Sequence, residues 1–312
     1  MTTSDVARAL PAPVRQRNPI RQEKYAPYFF ISPFYILFTI FFLFPTVFAL
    51  ILGFFRWGAL GTPEFFGLRN YERLFTGDPI FWQSVTNTAF YAGVSLFVVM
   101  PVALLEAIAL NSKRLKFRSF WRAVYFAPIV ASTVAVGIVF RMLYNTEYGI
   151  INNVLLALGG VPVNWLGNAG VLKIAVMGVV LWRWTGLLAV YFLAGLQSIP
   201  EELYEAAAID GASGWQRFVY ITLPSLRPVI LFVSVIVLIG SIQIFDDPQV
   251  LFGAGSPGGP ANAGLSMVQY LFTRGIGQLL FGYASAVGVF LFVIIFVLSL
   301  VQFRVFRGFE SD

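Results

Sequence analysis

Six stretches of almost uninterrupted apolar residues alternate with short polar segments along the chain. They cover Tyr28–Phe55, Val85–Leu110, Trp121–Leu143, Ile174–Leu196, Val229–Phe245 and Tyr283–Phe303. A helix needs roughly 20 apolar residues to cross about 30 Å of hydrocarbon, so the pattern predicts an all-α integral membrane protein with six transmembrane helices. Pro33 and Pro45 inside the first stretch are compatible with a span, because neighbouring helices and local adjustments satisfy the freed carbonyls. The first stretch is also too long and too uncharged for the 7–15-residue core of a cleaved signal. It reads as a retained span behind a flexible basic tail at 1–27.

The polar segments fall into two sets by charge. One side carries Arg8, Arg15, Arg17, Arg21 and Lys24 before the first span, Lys113, Arg114, Lys116 and Arg118 in the second loop, Arg217 and Arg227 in the fourth, and Arg304 and Arg307 at the end, thirteen in all. The other carries four: Arg56, Arg69, Arg73 and Arg274. The positive-inside rule therefore predicts that both termini are cytoplasmic. Two segments on the outer side are more than linkers. Residues 145–170 hold a short helical pattern followed by Gly-Gly and Trp165, and 246–282 read as a loop because of "GAGSPGGPANAG".

Composition supports the membrane reading and removes other chemistry. Apolar residues make up 58% of the 312, charged residues 12%, and there are 33 Phe. The absence of Cys and His removes disulfides, thiolate nucleophiles, the usual zinc sites and imidazole acid–base catalysis. The net charge of +6 is concentrated at membrane boundaries, which topology explains without nucleic acid.

One cytoplasmic segment breaks the greasy pattern: "IPEELYEAAAIDGASGWQRFVYITLP", Ile199 to Pro224. Ser198 and Glu201 have the spacing of a capping box with Pro200 in the first turn, predicting a helix through about Ile209. Leu203, Ala206, Ala207 and Asp210 share one face at i, i+3, i+4 and i+7. Asp210-Gly211 ends that helix. Ser213 and Gln216 repeat the box, and Pro224 is expected to block continuation into the fifth span. Two short helices at a fixed bend, tied at both ends to spans, make either a capped surface hairpin or a lever that moves the spans.

The string Glu205-Ala206-Ala207, Asp210-Gly211-Ala212, Phe218, Ile221, Leu223-Pro224 resembles the "EAA" loop of binding-protein-dependent ABC importer permeases. "YGIINNVL", "VNWLG", "WRWTG", "FDDPQVLFGAGSPGGPANAG" and "FGYASA" resemble the carbohydrate-uptake branch, the MalF-like or UgpA-like subunits. The likeness runs from about Tyr28 to Arg307, so 28–312 is read as the permease domain with its coupling loop at about 198–224. The third loop, 30 residues from Tyr144 to Lys173, lacks the large periplasmic domain of the enteric maltose subunit.

The resemblance implies a type I importer permease fold in a bacterial inner membrane. It also implies a second permease subunit, two ATPase subunits that bind ATP and Mg²⁺, and an extracytoplasmic solute-binding protein. Glu205, Ala206, Ala207, Asp210, Gly211, Leu223 and Pro224 would form the ATPase-coupling surface, with Asp210 holding the bend by a side-chain-to-backbone hydrogen bond. The chain itself has no Gly-Lys pair to begin a P-loop. Gly258, Gly259 and Pro260 would meet the binding protein.

Polar residues inside the membrane are the candidates for the solute path. Arg183 lies ten residues into the fourth stretch and is expected either to pair with a helix carbonyl or Glu106, or to line the path. Trp182, Trp184 and Tyr191 offer rings that stack on sugar faces. Gln243, Asp246, Asp247, Asn87 and Tyr91 offer hydrogen-bonding groups suited to hydroxyls. A sugar or oligosaccharide is the expected solute, with glycerol 3-phosphate as rival because Arg183 could meet a phosphate. An ion-coupled carrier acting alone would want a buried midplane acid, which the spans do not offer.

Overall fold

A computed structural model describes residues 19–58, 61–253 and 255–308. Residues 1–18 of the basic tail lie outside the described residues. Compact packing divides the chain into two units, 1–49 and 50–312.

The first unit is helical from Pro19, so 19–27 extend the first span instead of forming a tail; the apolar part is Tyr25–Leu52. Its helix passes through a five-residue π turn, Thr39–Leu43, immediately before Phe44-Pro45. The same arrangement recurs twice. Ser95–Val99 is a π turn before Met100-Pro101, and Phe218–Thr222 is one before Leu223-Pro224. Proline lacks an N–H and its ring clashes with the carbonyl four residues back. The extra residue of a π turn moves that carbonyl aside and lets the helix continue.

The second unit begins with the last turn of the first span and a small hairpin, Phe55–Arg56 paired antiparallel with Glu64–Phe65. Four further helices are long and apolar enough to span: Pro79–Asn111, Leu172–Gln197, Arg227–Phe252 and Phe281–Val305. The remaining span is broken. Arg118–Val130 and Thr133–Leu143 meet at 97° across Ala131 and Ser132, so the straight third helix predicted at Trp121–Leu143 is a bent pair. Pro128 lies inside the first half, two residues before that half ends at Val130. The fifth span is interrupted as well, its helix Arg227–Ile242 stopping before Gln243 and a short helix, Asp246–Phe252, following. Residues 246–282 are accordingly not a plain loop, since they also contain helix Met267–Phe272 and the π turn Thr273–Gly277.

Two apolar clusters hold this unit together. The larger surrounds the fourth span, with Val176, Val179, Ala189 and Phe192 packed against Ala103 and Ala107 of the second and Val233 of the fifth. Small residues allow backbones to approach in a bilayer, where apolar surface gains little from helix contact itself. Gly186 is the extreme case: a Cβ there would lie 1.8 Å from the Tyr125 carbonyl oxygen of the broken third span. The second cluster joins Leu74 and Phe81 to Leu238, Tyr270, Tyr283 and Val287.

Candidate coupling loop and solute-path residues

The polar segment folds as a pair of short helices, but its ends are made differently from the expected pattern. Ser198 does not cap the new helix. Its Oγ donates to the Gly195 carbonyl at 2.8 Å and closes the fourth span instead. Pro200 occupies the N-cap of Glu201–Ile209 with no side-chain bond, and Glu201 ion-pairs with Lys113. Asp210 makes no side-chain hydrogen bond that holds the bend among the described residues. The backbone makes it: Gly211 has φ +79°, its N–H reaches the Ala208 carbonyl at 3.2 Å, and the Ala212 N–H reaches that of Ala207 at 2.8 Å. This is a Schellman ending, which favours glycine at the left-handed position.

The second capping box forms as predicted. Ser213 Oγ accepts from Gln216 N–H and Gln216 Oε1 accepts from Ser213 N–H, starting Gly214–Arg217. Pro224 does not stop the chain from continuing towards the fifth span, because the π turn Phe218–Thr222 absorbs it. Tyr204 and Thr222, whose hydroxyls lie 2.9 Å apart, tie the two short helices into one bent body. Glu205, Ala206, Asp210 and Gly211 are exposed, Ala207, Leu223 and Pro224 are half-buried, and Ile209 and Trp215 are 87% and 72% exposed. Exposure of two large apolar side chains beside the Ala pair was not foreseen; the sign was their position on a segment otherwise polar enough to stay in water.

In the membrane, Arg183 is buried and pairs with neither Glu106 nor a helix carbonyl. Its Nη1 donates to Asp247 Oδ1 at 2.7 Å and its Nη2 to Thr133 Oγ1 at 2.6 Å. Asp247 also accepts from Trp184 Nε1 at 3.2 Å. One guanidinium thus cross-ties the fourth span to the second half of the broken third and to the helix after the fifth. Asp247 and Arg183 are consumed by each other, which corrects their expected places on a solute path. It also removes the ground for a phosphate-bearing solute.

Asn87 and Tyr91 are corrected in the same way. They are 2% and 0% exposed. Asn87 Nδ2 donates to the carbonyls of Asn262 and Leu265 at 3.0 and 3.1 Å, and Tyr91 Oη to that of Gly264 at 2.9 Å. Gln83 and Thr88 hold the same segment, through the Ala261 carbonyl and the Met267 N–H. Positions 83, 87 and 91 recur every four residues, so one helical face grips the Gly-rich loop.

That loop folds against its own chain. Gly258 and Gly259 have φ +86° and +68°. A Cβ on them would meet Leu265 at 2.6 Å and Leu172 at 2.7 Å. Gly258 is buried and Gly259 and Pro260 half-buried, while Gly255 and Ser256 are exposed. The close approach permitted by the Gly-Gly turn is therefore internal, and the free tip lies just before it.

Gln243 and Asp246 remain exposed at the interruption that follows the fifth helix, next to the Asp247 cross-tie. Trp184 is part of that group. Trp182 and Tyr191 pack elsewhere, tilted against Phe140 and edge-on to Phe232, with ring centres 5.5 Å apart in each pair. On segment 145–170, buried Asn152 was missed. Its Nδ2 donates to Thr146 and Val163 carbonyls, and its Oδ1 accepts from Val163 N–H and Trp165 Nε1.

Comparison with known proteins fits this geometry. The family described as binding-protein-dependent transport system inner membrane component matches residues 1–311. The arabinooligosaccharides transport system permease protein AraP of Bacillus subtilis is 40% identical over 297 residues, covering 95% of this chain and 93% of that protein. The lactose transport system permease protein LacF of Rhizobium radiobacter is 36% identical over 281 residues, with 89% and 93% covered. A crystal structure of a bacterial ABC transporter involved in the import of the acidic polysaccharide alginate aligns with TM-score 0.81 and 24% identity, over 93% of this chain and 98% of the matched one. That likeness establishes the fold.

Proposed function

Because the chain belongs to the family of binding-protein-dependent transport system inner membrane components, we propose that its solute is a sugar or oligosaccharide and that it acts as the permease subunit of an ABC importer. Permeases named for arabinooligosaccharide and lactose transport among its relatives support a carbohydrate. In this reading it pairs with a second permease and two ATPase subunits, which bind ATP and Mg²⁺, and receives solute from an extracytoplasmic binding protein. Thirteen against four basic residues support an inner-membrane topology with both termini in the cytoplasm.

The observation that carries the mechanism is the bent, self-braced and exposed body at 201–225. Its Ala pair is slim enough to enter a groove, Ile209 and Trp215 add apolar grip, and the Tyr204–Thr222 contact makes the body move as one piece. Pushing it moves the fourth and fifth spans, which it joins without slack. Gln243, Asp246 and Trp184 then offer hydroxyl-binding groups and a ring beside the Arg183 cross-tie.

Gly211→Val forces a branched side chain into a left-handed conformation at a strain of about 1–2 kcal/mol and re-aims the second helix. Glu205→Lys reverses charge on the exposed face. In proteoliposomes holding the complete transporter, both variants should lose carbohydrate uptake, and both should recover less ATPase subunit in a pull-down. Normal uptake with normal ATPase recovery in both variants would refute the coupling role. A transporter that takes up no labelled oligosaccharide, yet couples ATP hydrolysis to another solute, would refute the carbohydrate assignment alone.

A further inference from the structure

Of the four basic residues that stand against the charge asymmetry of the loops, three converge on one cavity. The hairpin of Phe55–Arg56 and Glu64–Phe65 is followed by helix Arg69–Thr76. Positions 69, 72, 73 and 76 share one face of that helix, while Asn70 and Leu74 are buried. Asn70 Nδ2 fixes the helix to the hairpin by donating to the carbonyls of Gly53 and Phe55, each at 2.9 Å. Between them lies a cavity of about 490 Å³ whose lining includes Arg56, Arg69, Arg73, Glu72 and Tyr283.

The fourth residue, Arg274, is accounted for by its ion pair with Asp78 at 3.1 Å. The other three are not. Ion pairs among the described residues are Lys113–Glu201, Arg183–Asp247 and Arg274–Asp78. Glu72 in the lining, and Glu64 opposite Arg56, both stay beyond pairing distance. Two of the guanidinium groups are nonetheless held in place, Arg69 5.3 Å from the Phe66 ring centre and Arg73 4.9 Å from that of Tyr283. Stacking occupies the face of a guanidinium and leaves its N–H edge to donate, in the fork that matches a phosphate.

The depth of the cavity distinguishes among anions. The lining also takes in Leu280 and Tyr283, which bracket the start of the last span at Phe281. The cavity therefore lies at the end of that span, where headgroups meet acyl chains. Beside the arginines, Phe65 and Leu68 are 76% and 67% exposed. Cations without an ion-pair partner next to exposed apolar side chains at this level match an anionic amphiphile.

We propose that this cavity binds the phosphate of an anionic phospholipid headgroup, with Arg56, Arg69 and Arg73 as its ligands and Phe65 and Leu68 as the bed for the first part of the chains. The assignment does not depend on which solute the protein carries or on which leaflet holds the cavity.

The test uses the complete transporter, with phosphatidylglycerol and phosphatidylcholine titrated in neutral detergent and retained lipid read by native mass spectrometry. A basic residue near a membrane surface strengthens anionic-lipid binding about fivefold, so the Arg56→Gln/Arg69→Gln/Arg73→Gln variant should bind phosphatidylglycerol on the order of 100-fold more weakly. Phosphatidylcholine binding should not change. A triple Arg→Lys variant keeps the charge and should retain most of the affinity, and Arg56→Gln alone, an exposed change, should give an intermediate loss. Equal phosphatidylglycerol retention by wild type and the triple Gln variant overturns the proposal. So does inorganic phosphate binding more tightly than the lipid with the same arginine dependence, which would assign a free anion. Loss of binding-protein docking with lipid retention intact would assign the face to a protein partner and overturn it too.

Discussion

Removing either member of the Arg183–Asp247 pair should damage the protein far more than removing both. The two charges, held about 4 Å apart between centres, attract by ~4 kcal/mol at an effective dielectric of about 20. Desolvation costs several kcal/mol per ion, so the intact pair contributes little net stability. The side chains are only 10% and 5% exposed, so a lone survivor has no water to turn to. Arg183→Met strands Asp247 with a single donor, Trp184 Nε1. Asp247→Leu leaves Arg183 with Thr133 Oγ1 and an Nε that already has no partner. Each single change should cost about 3–5 kcal/mol, and the double change close to nothing. A domain of this size loses roughly 2–4 °C of Tm per kcal/mol. The assay is thermal unfolding of the reconstituted transporter for wild type, both singles and the double, with uptake measured alongside. Singles should fall by on the order of 10 °C and the double should recover most of it. If the two losses simply add, the cross-tie is not the reason for either residue, and the reasoning fails.

Two further outcomes follow from buried polar groups. Asp78 is 6% exposed. Burial alone would raise its pKa, but donation from Tyr270, Tyr283, the Phe81 N–H and Arg274 more than offsets this and holds the carboxyl below its usual 3.8. A group depressed in the folded state stabilises above its unfolded pKa and loses that contribution as pH falls through the folded value. Acid unfolding of the transporter should therefore steepen below about pH 4, and Asp78→Asn should flatten that limb; an unchanged acid limb in the variant would count against the network. Asn152→Ala removes the hub of the third loop and should cost on the order of 1–2 kcal/mol, since it deletes several hydrogen bonds to half-buried partners. Amide hydrogen exchange should quicken across 145–165 while the spans keep their protection, and unchanged exchange there would show that the loop is held by other contacts.

Placement of the spans was readable from the sequence because hydropathy measures the solvent each residue needs, and a bilayer imposes that on long stretches. Straightness was not readable in the same way. The third and fifth spans break at Ala131–Ser132 and Gln243–Phe245, where the composition stays largely apolar. Yet the backbone did leave a trace. Pro45, Pro101 and Pro224 each follow a π turn by one residue. At these three positions the helix continues past its proline, and this is why Pro224 failed as a stop.

Local chemistry was legible where partners are close in sequence. The bend at Gly211 and the Ser213–Gln216 box are made within a few residues, so spacing could specify them. Intramembrane partners lie far apart: Arg183 finds Asp247 across 64 residues and Thr133 across 50, and Tyr91 finds Gly264 across 173. No spacing rule reaches that far, and the polar residues in the spans looked alike as candidates for the solute path. Burial separates them. A polar atom sealed from water must find a partner at once, since an unsatisfied one costs about 1–3 kcal/mol. Asn87, Tyr91, Arg183 and Asp247 are therefore spent on holding spans and loops together before any solute arrives. A group that binds and releases a passing solute must be open to exchange its partner, and Gln243 and Asp246 are the polar residues of the set that keep that freedom. On the proposed solute path the buried group would set the shape and the exposed pair would meet what moves through it, so changing Gln243 or Asp246 should alter which labelled sugars are taken up while leaving the Tm of the assembled bundle unchanged.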